Sequence, residues 1–205
     1  MEKSTAEEII KILKLNIEEP KCELNFSNIF ELLIAVILSA QCTDARVNIV
    51  TKDLFKELKT PEDFAFAPIE KIEQLIKPCG FFHNKARNIK ACSIMLMEKF
   101  GSNVPSDFND LTSLPGVGRK TASVVFAVGF NKPAMPVDTH LFRVANRLGI
   151  YKGNSVEKCE EEYKKIILKE DWILAHHLFL LFGRYVCKAQ RPDCENCYLK
   201  KYCKK

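Results

Sequence analysis

Helix start and stop signals recur along almost the whole chain, whereas no hairpin turn accompanies an alternating strand pattern. Apolar periodicity and a stop at Gly101 predict helices over residues 28–40, 44–58, 69–76, 84–100, 107–113, 119–130, 138–148 and 172–186. Three further helices begin with capping signatures: Ser4 with Glu7, Thr60-Pro61-Glu62-Asp63, and Asn154 with Glu157. The sequence therefore predicts an all-α protein of about ten helices joined by short connections.

The chain has the size and composition of an ordinary globular protein. Its 205 residues, 47% hydrophobic and 28% charged, suit one domain or two small ones with a buried core. The longest apolar stretch, residues 29–40, is too short to span a bilayer, and residues 1–8 lack the features of an export or transit signal. We therefore expect a soluble, intracellular protein.

Nine cysteines are many for this length, and without an export signal they are expected to stay reduced. Four of them fall within seventeen residues, at spacings of six, two and five intervening residues: Cys187, Cys194, Cys197 and Cys203. The last eighteen residues contain too few aliphatic side chains to bury a core, so a metal is expected to order this tail. Four thiolates suit both zinc and a 4Fe-4S cluster. The remaining five are expected to be small buried hydrophobes: Cys22, Cys42, Cys79, Cys92 and Cys159.

The net charge of +5 is concentrated in two segments. Residues 184–205 carry seven basic and two acidic side chains, and residues 81–147 carry nine basic and four acidic ones. Such segments can form an anion-binding face, or they can be ordinary solvated surface.

The segment from Leu114 to Ala122, Leu-Pro-Gly-Val-Gly-Arg-Lys-Thr-Ala, lies between two predicted helices. Its glycines, Gly116 and Gly118, permit a tight turn whose backbone N–H groups point outward with the N-terminus of the next helix. Such a turn can hold a phosphate, although it can also be a plain connection between helices. The start of that helix and Arg119 both favour a neutral amine at Lys120.

Four motifs occur in one order: the apolar run 30–41, the hairpin with Lys120, Val137-Asp138-Thr139-His140, and the four-cysteine tail. Together they resemble the endonuclease III family of the helix-hairpin-helix DNA glycosylase superfamily, over nearly the whole chain. The resemblance implies a monomeric, bifunctional DNA glycosylase and AP lyase of base excision repair, which removes oxidised pyrimidines from duplex DNA. It also implies two helical lobes with DNA in the cleft: residues 23–132, with the helix-hairpin-helix at about 107–130, and residues 1–22 plus 133–205, with a 4Fe-4S cluster loop.

The resemblance also implies residue roles. Lys120 is the nucleophile that forms a Schiff base, and Asp138 is the catalytic carboxylate, besides being a candidate helix N-cap. Gln41 fills the space left by the flipped nucleotide, and Phe81, where the family commonly carries leucine, wedges beside the estranged base. Further DNA contacts are expected at Gly116, Gly118, Arg119, Thr121, His140, Arg184, Lys188 and Arg191. The four tail cysteines ligate the cluster, whereas His176 and His177 are expected to serve packing or surface roles.

Two alternatives remain at this stage. A monofunctional adenine or mismatch glycosylase shares the fold and cluster but usually lacks a lysine at the position of Lys120. A non-catalytic DNA-binding module could use the hairpin and basic tail alone. For the metal, zinc motifs usually pair two Cys-x2-Cys knuckles, whereas this tail contains one. The sequence does not rank the damaged bases.

Overall fold

The computed structural model describes all 205 residues, and every regular element in it is helical. The α-helices are α1 Lys3–Asn16, α2 Ile29–Leu38, α3 Asp44–Glu57, α4 Pro61–Phe66, α5 Ile69–Ile76, α6 Phe82–Phe100, α7 Phe108–Ser113, α8 Arg119–Val124, α9 Thr139–Leu148, α10 Val156–Ile166 and α11 Trp172–Leu181. Short 3-10 turns occur at Lys77–Cys79, Lys169–Asp171 and Lys200–Tyr202, and π-helical turns at Val125–Gly129 and Phe182–Val186. The predicted all-α class is confirmed. None of these helices is long and apolar enough to cross a membrane.

The chain folds into two compact units. One consists of Met1–Cys22 together with Asn131–Lys205, and the other of Glu23–Phe130. We call them the terminal unit and the central unit.

Helix α2 is the core helix of the central unit. Eight of its ten residues are buried, so it is apolar on every side, as a helix surrounded by protein must be. It contacts α3, α6 and α8. Its first turn is fixed by Asn28, whose side chain accepts a hydrogen bond from the Glu31 backbone N–H at 2.9 Å. These surrounding helices are therefore packed against the apolar surface of α2.

The terminal unit has its own core, formed by α1, α9, α10 and α11. Tyr163 of α10 is fully buried beside Phe179 of α11, with ring centroids 5.1 Å apart. Its hydroxyl donates to the Leu141 carbonyl at 3.0 Å, and burial raises the pKa of this phenol well above its usual value. The indole N–H of Trp172 donates to the Ile167 carbonyl at 3.1 Å. The aromatic side chains of this core thus retain hydrogen bonds for their polar ends.

The start of α4 matches the sequence prediction. The Thr60 hydroxyl accepts from the Asp63 N–H at 3.3 Å, and an Asp63 carboxylate oxygen accepts from the Thr60 N–H at 3.0 Å. Hydrogen bonding, first from the Lys59 N–H, lowers the pKa of the Asp63 carboxyl. This capping box, with Pro61 in the first turn, is confirmed.

Two other predicted caps are wrong. Helix α1 begins at Lys3, so Ser4 already lies inside the helix, and its N-cap residue Glu2 makes no capping hydrogen bond. Helix α10 is capped by Ser155, which accepts from the Lys158 N–H at 3.2 Å, instead of by Asn154. Capping requires an extended backbone at the polar residue, and the sequence pattern does not identify which of several adjacent polar residues has it.

The cysteines outside the tail divide into two groups. Cys79, Cys92 and Cys159 are buried as predicted, and burial raises the pKa of their thiols to about 11, 12 and 12 respectively. Cys22 and Cys42 are only partly buried, so the prediction is wrong for these two.

Thr60, which caps α4, and Ser4, which does not cap α1, give a matched stability test. We expect Thr60→Ala to lower the free energy of unfolding by about 1 kcal/mol, because the Asp63 N–H at the start of α4 loses its partner, the Thr60 hydroxyl. Ser4→Ala should change it by less than about 0.5 kcal/mol, since Ser4 is an exposed residue inside α1. Urea unfolding followed by far-ultraviolet circular dichroism measures both. Equal losses in the two variants would contradict the assignment of the caps.

Candidate active site

The hairpin of the central unit joins α7 to α8 through residues 114–118. The turn buries Leu114 and Val117, and the Val117 N–H donates to the Leu114 carbonyl at 3.0 Å. Gly118 occupies the N-cap position of α8, so no side chain caps the first N–H groups of this helix. The helix start therefore presents backbone donors and the positive end of its dipole at the turn.

Gly116 is required by both its backbone and its surroundings. Its φ of +78° lies in the left-handed region that disfavours side chains. A Cβ at this position would approach the Asn88 Cβ on α6 to 2.8 Å. The turn therefore sits directly against α6, which a larger residue would prevent.

Lys120 is exposed in the first turn of α8. The neighbouring Arg119 guanidinium lies 6.0 Å from the centre of the Phe108 ring, and that ring meets Phe126 edge-to-face. Thr121, one residue further on, is partly buried. This arrangement leaves Lys120 exposed at the surface beside the uncapped helix start.

Gln41 and Phe81 of the central unit both adopt left-handed backbone conformations next to helix ends. Gln41 follows the last turn of α2 with φ of +54°, and Phe81 precedes α6 with φ of +47°. Both side chains are exposed, Phe81 to 68%. Non-glycine residues adopt this conformation at a cost in free energy, so the surrounding structure must hold them there. The exposure of Phe81 shows that its ring does not pack in the core.

Asp138 of the terminal unit is the N-cap of α9. Its Oδ1 accepts from the N–H groups of His140 at 2.8 Å and Leu141 at 2.9 Å. Because both bonds end on Oδ1, the cap uses only one of the two carboxylate oxygens. The side chain is partly buried and lies at the helix N-terminus, where the helix dipole favours a negative charge.

Arg143 of α9 links the start of this helix to the backbone at Gly183 and Cys187. Its guanidinium donates to the carbonyls of Gly183 at 2.6 Å and Cys187 at 2.9 Å, and it lies 3.2 Å from His140 Nδ1. Burial lowers the pKa of this guanidinium. The close approach of residue 183 to α9 requires a glycine, since a Cβ there would come within 2.9 Å of the His140 Cβ. His140 is thus oriented by a partly buried cation.

The four tail cysteines line a single cavity of about 500 Å³. Arg147 of α9 closes one side of it, donating to the Lys188 carbonyl at 2.8 Å and to the Cys187 sulfur at 3.2 Å. Burial raises the pKa of the Cys197 thiol. No three cysteine, histidine or carboxyl side chains converge as ligands of a single ion. The four thiols therefore line one shared cavity.

The predicted residues thus form two groups, one within each unit. The central unit carries Gln41, Phe81, Gly116, Gly118, Arg119, Lys120 and Thr121. The terminal unit carries Asp138, His140, the partly buried Arg184, the exposed Lys188 and Arg191, and the four cysteines. His176 and His177 are buried in α11, where burial lowers the pKa of His177 to about 4. Arg143 and Arg147 were not predicted from the sequence, although their four-residue spacing on one face of α9 was an available signal.

Comparison with known proteins gives consistent matches. The family model described as "HhH-GPD superfamily base excision DNA repair protein" matches residues 34–169. Endonuclease III of Bacillus subtilis (strain 168) is 51% identical over 185 residues, covering 90% of this chain and 84% of the relative. Endonuclease III of Escherichia coli (strain K12) is 44% identical over 204 residues, covering 99% and 96%.

A solved structure extends the match to the fold. The structure of a trapped covalent intermediate between Endonuclease III and DNA, with an estranged adenine, superposes with a TM-score of 0.96 at 47% identity. The match covers 100% of this chain and 96% of that chain. This chain therefore belongs to the HhH-GPD superfamily of base excision DNA repair proteins and, within it, to the endonuclease III family.

Proposed function

We propose that the protein is a bifunctional DNA glycosylase and AP lyase, which removes oxidised pyrimidines from duplex DNA and cleaves the strand 3′ to the abasic site. The observation that carries this proposal is an exposed lysine, Lys120, in the first turn of the helix that follows the hairpin. The relative whose fold matches at a TM-score of 0.96 forms a covalent intermediate with DNA. A monofunctional glycosylase would not need an amine at this position.

The hairpin holds the DNA backbone. The uncapped N–H groups around Gly118 and the turn at Gly116 donate hydrogen bonds to a phosphate, which also interacts with the dipole of α8. Arg119 and Thr121 add contacts beside it. In the terminal unit, His140, Arg184, Lys188 and Arg191 contact further phosphates. These contacts position the duplex without reading its sequence.

Lys120 carries out the covalent chemistry. Its neutral amine attacks C1′ of the damaged nucleotide, the glycosidic bond breaks, and the base leaves with the bonding electron pair and takes up a proton. The sugar ring opens to give a Schiff base between C1′ and the lysine nitrogen. Removal of a C2′ proton then breaks the bond to the 3′ phosphate by β-elimination, which cleaves the strand.

Asp138 supplies negative charge to the reacting sugar. Positive charge develops on the ring as the base leaves, and a carboxylate stabilises it. The cap of α9 uses Oδ1, so Oδ2 is the oxygen that acts on the sugar or on a water. The carboxylate also takes up and returns protons during Schiff-base formation and elimination.

Gln41 and Phe81 act on the duplex from which the nucleotide is removed. Excision requires the nucleotide to leave the stack, and unstacking costs a few kcal/mol. Gln41 fills the vacated position, and the Phe81 ring inserts beside the estranged base. Their exposure and their left-handed backbones at two loop tips support these roles. An aromatic ring stacks on either purine or pyrimidine.

The tail residues fit a 4Fe-4S cluster ligated by Cys187, Cys194, Cys197 and Cys203. The four thiols line one cavity. A 4Fe-4S cluster takes four cysteine thiolates, which is the number that this cavity offers. When bound, the cluster supplies a covalent junction that orders the tail. Arg147 stabilises this loop through its bonds to Lys188 and Cys187.

We also propose a functional division of the chain and a location. Residues 23–132 form the six-helix domain with the helix-hairpin-helix at about 107–130, and residues 1–22 with 133–205 form the iron-sulfur domain. The change of unit between Phe130 and Asn131 supports this division. The protein works as a monomer in the cytoplasm and associates with the nucleoid when it binds DNA.

Replacing the nucleophile separates chemistry from binding. We expect Lys120→Gln to abolish both the borohydride-trapped adduct and strand cleavage, because an amide nitrogen forms no Schiff base. Binding to abasic-site DNA should remain, since the turn at Gly116 and Gly118 is unchanged. Lys99→Gln, an exposed lysine of the same unit, is the control and should keep full trapping. Trapping of the Gln variant at the wild-type level would refute this assignment.

Asp138→Asn tests the carboxylate without removing the cap. The amide oxygen still accepts from the His140 and Leu141 N–H groups, so the thermal unfolding midpoint should change little. Single-turnover base excision should slow by roughly 100-fold or more, because the negative charge is lost. Unchanged excision would mean that Asp138 only caps α9.

The cluster is tested by metal content and by one ligand substitution. Iron analysis of the purified protein should give about four irons per chain, with broad visible absorption. Cys197→Ser should lose the cluster and weaken DNA binding more than Lys120→Gln does, and the difference should shrink as salt is raised. Cys22→Ser in the same unit is the control. A colourless protein with one zinc per chain would contradict the proposal.

A further inference from the structure

Lys85 is a buried lysine that the proposed chemistry does not use. It lies in the first turn of α6 on the helix face that also carries Ile89 and Cys92, and only 6% of its surface is exposed. Burial lowers the pKa of its ammonium, since a charge in apolar surroundings is disfavoured. A lysine is rarely retained in a core unless its donors are used.

The Lys85 ammonium bridges two loops that are distant in sequence. Its Nζ donates to the Leu38 carbonyl at 2.8 Å and to the Cys79 carbonyl at 2.9 Å. Leu38 is the last residue of α2, three positions before Gln41. Cys79 ends the 3-10 turn, two positions before Phe81. One cation thus holds the bases of the two loops whose tips are the exposed, left-handed Gln41 and Phe81.

The electrostatics explain why a cation serves here. The Leu38 carbonyl belongs to the last turn of α2, where helix carbonyls lack partners and the helix dipole is negative. The groups near the ammonium that influence its charge are the Cys79 and Cys42 thiols. Burial raises the pKa of Cys79 to about 11, so that thiol stays neutral. Carbonyl dipoles, with no carboxylate partner, therefore stabilise the buried charge.

The two loops also meet through their cysteines. Cys42 directly follows Gln41, and its thiol adds to burial in raising the pKa of the Cys79 thiol. A contact between thiols is weaker than the hydrogen bonds of an ammonium, because thiols are poor donors and acceptors. The two hydrogen bonds of Lys85 are therefore the strongest polar contacts described between the two loops.

We propose that Lys85 is a positioning residue, which sets the spacing of Gln41 and Phe81 so that both enter the duplex together. This inference rests on the proposed function of those two residues. Two insertions into one base stack must match its geometry, and loops fixed before binding lose little entropy when they insert. Lys85 acts through the loops and touches no DNA.

The test compares a step that needs insertion with one that does not. Lys85→Met keeps the side-chain length and removes the donors, leaving two carbonyls without their partner. We expect single-turnover excision of a damaged base from duplex DNA to slow roughly 10- to 100-fold. Cleavage at an abasic site in single-stranded DNA should change less than about threefold, because no base stack is entered. Rates are normalised to the fraction of enzyme trapped by borohydride.

A matched control separates positioning from general loss of structure. Lys90 lies on the same helix and donates to the Ala67 carbonyl, away from both loops. Lys90→Met should leave the ratio of the two rates at the wild-type value. If Lys85→Met lowers both rates equally, Lys85 only supports the fold and the inference is refuted.

A double-mutant cycle gives a second readout that remains usable if Lys85→Met is unstable. In a background of Gln41→Ala and Phe81→Ala, the tips are absent, so Lys85→Met should slow duplex excision by less than about threefold further. If Lys85→Met slows excision in this background by the same factor as in the otherwise unaltered protein, the inference is overturned. Failure of the unaltered protein to form a trapped adduct with single-stranded abasic DNA would instead refute the proposed function itself, so the two failures are distinguishable.

Discussion

Each helix leaves four backbone N–H groups unpaired at its start and four carbonyls unpaired at its end, and this constraint governs where chemistry occurs in the molecule. The sides of the helices are used for packing, most completely in α2. The helix ends need polar partners, and at two of them these partners are residues with proposed functions. Asp138 satisfies two N–H groups of α9, and Lys85 satisfies a carbonyl of α2. The α8 start lacks a side-chain cap, which leaves its donors available for a phosphate.

The same need for polar partners explains why a buried or partly buried cation occurs in both units. Arg143 and Arg147 donate to carbonyls around Cys187, as Lys85 does between its two loops. In each case a long side chain on a regular helix reaches irregular backbone, whose carbonyls cannot pair with each other. Removing such a donor leaves buried carbonyls unsatisfied, at about 1–3 kcal/mol each. Irregular segments can therefore be ordered without a core of their own.

Much of this architecture could be predicted from the sequence, because apolar periodicity and glycine positions are local signals. The hairpin glycines, the Thr60 box and the Asp138 cap all follow from neighbouring residues. The start of α1 was missed because several adjacent polar residues could cap it. Lys85, Arg143 and Arg147 were missed because each of them donates to a carbonyl about 40 or more residues away in the sequence. A lysine on the apolar stripe of α6 was a visible anomaly, but only the fold shows which carbonyls it meets.

The separation into two units also has an optical consequence. The single tryptophan, Trp172, and all five tyrosines lie between residues 151 and 202, within the terminal unit. The central unit contains phenylalanine as its only aromatic residue. Fluorescence excited at the tryptophan and tyrosine absorption bands therefore reports on the folding of the terminal unit and not on that of the central unit. Any difference between fluorescence and circular dichroism melting curves directly measures how far the two units unfold independently.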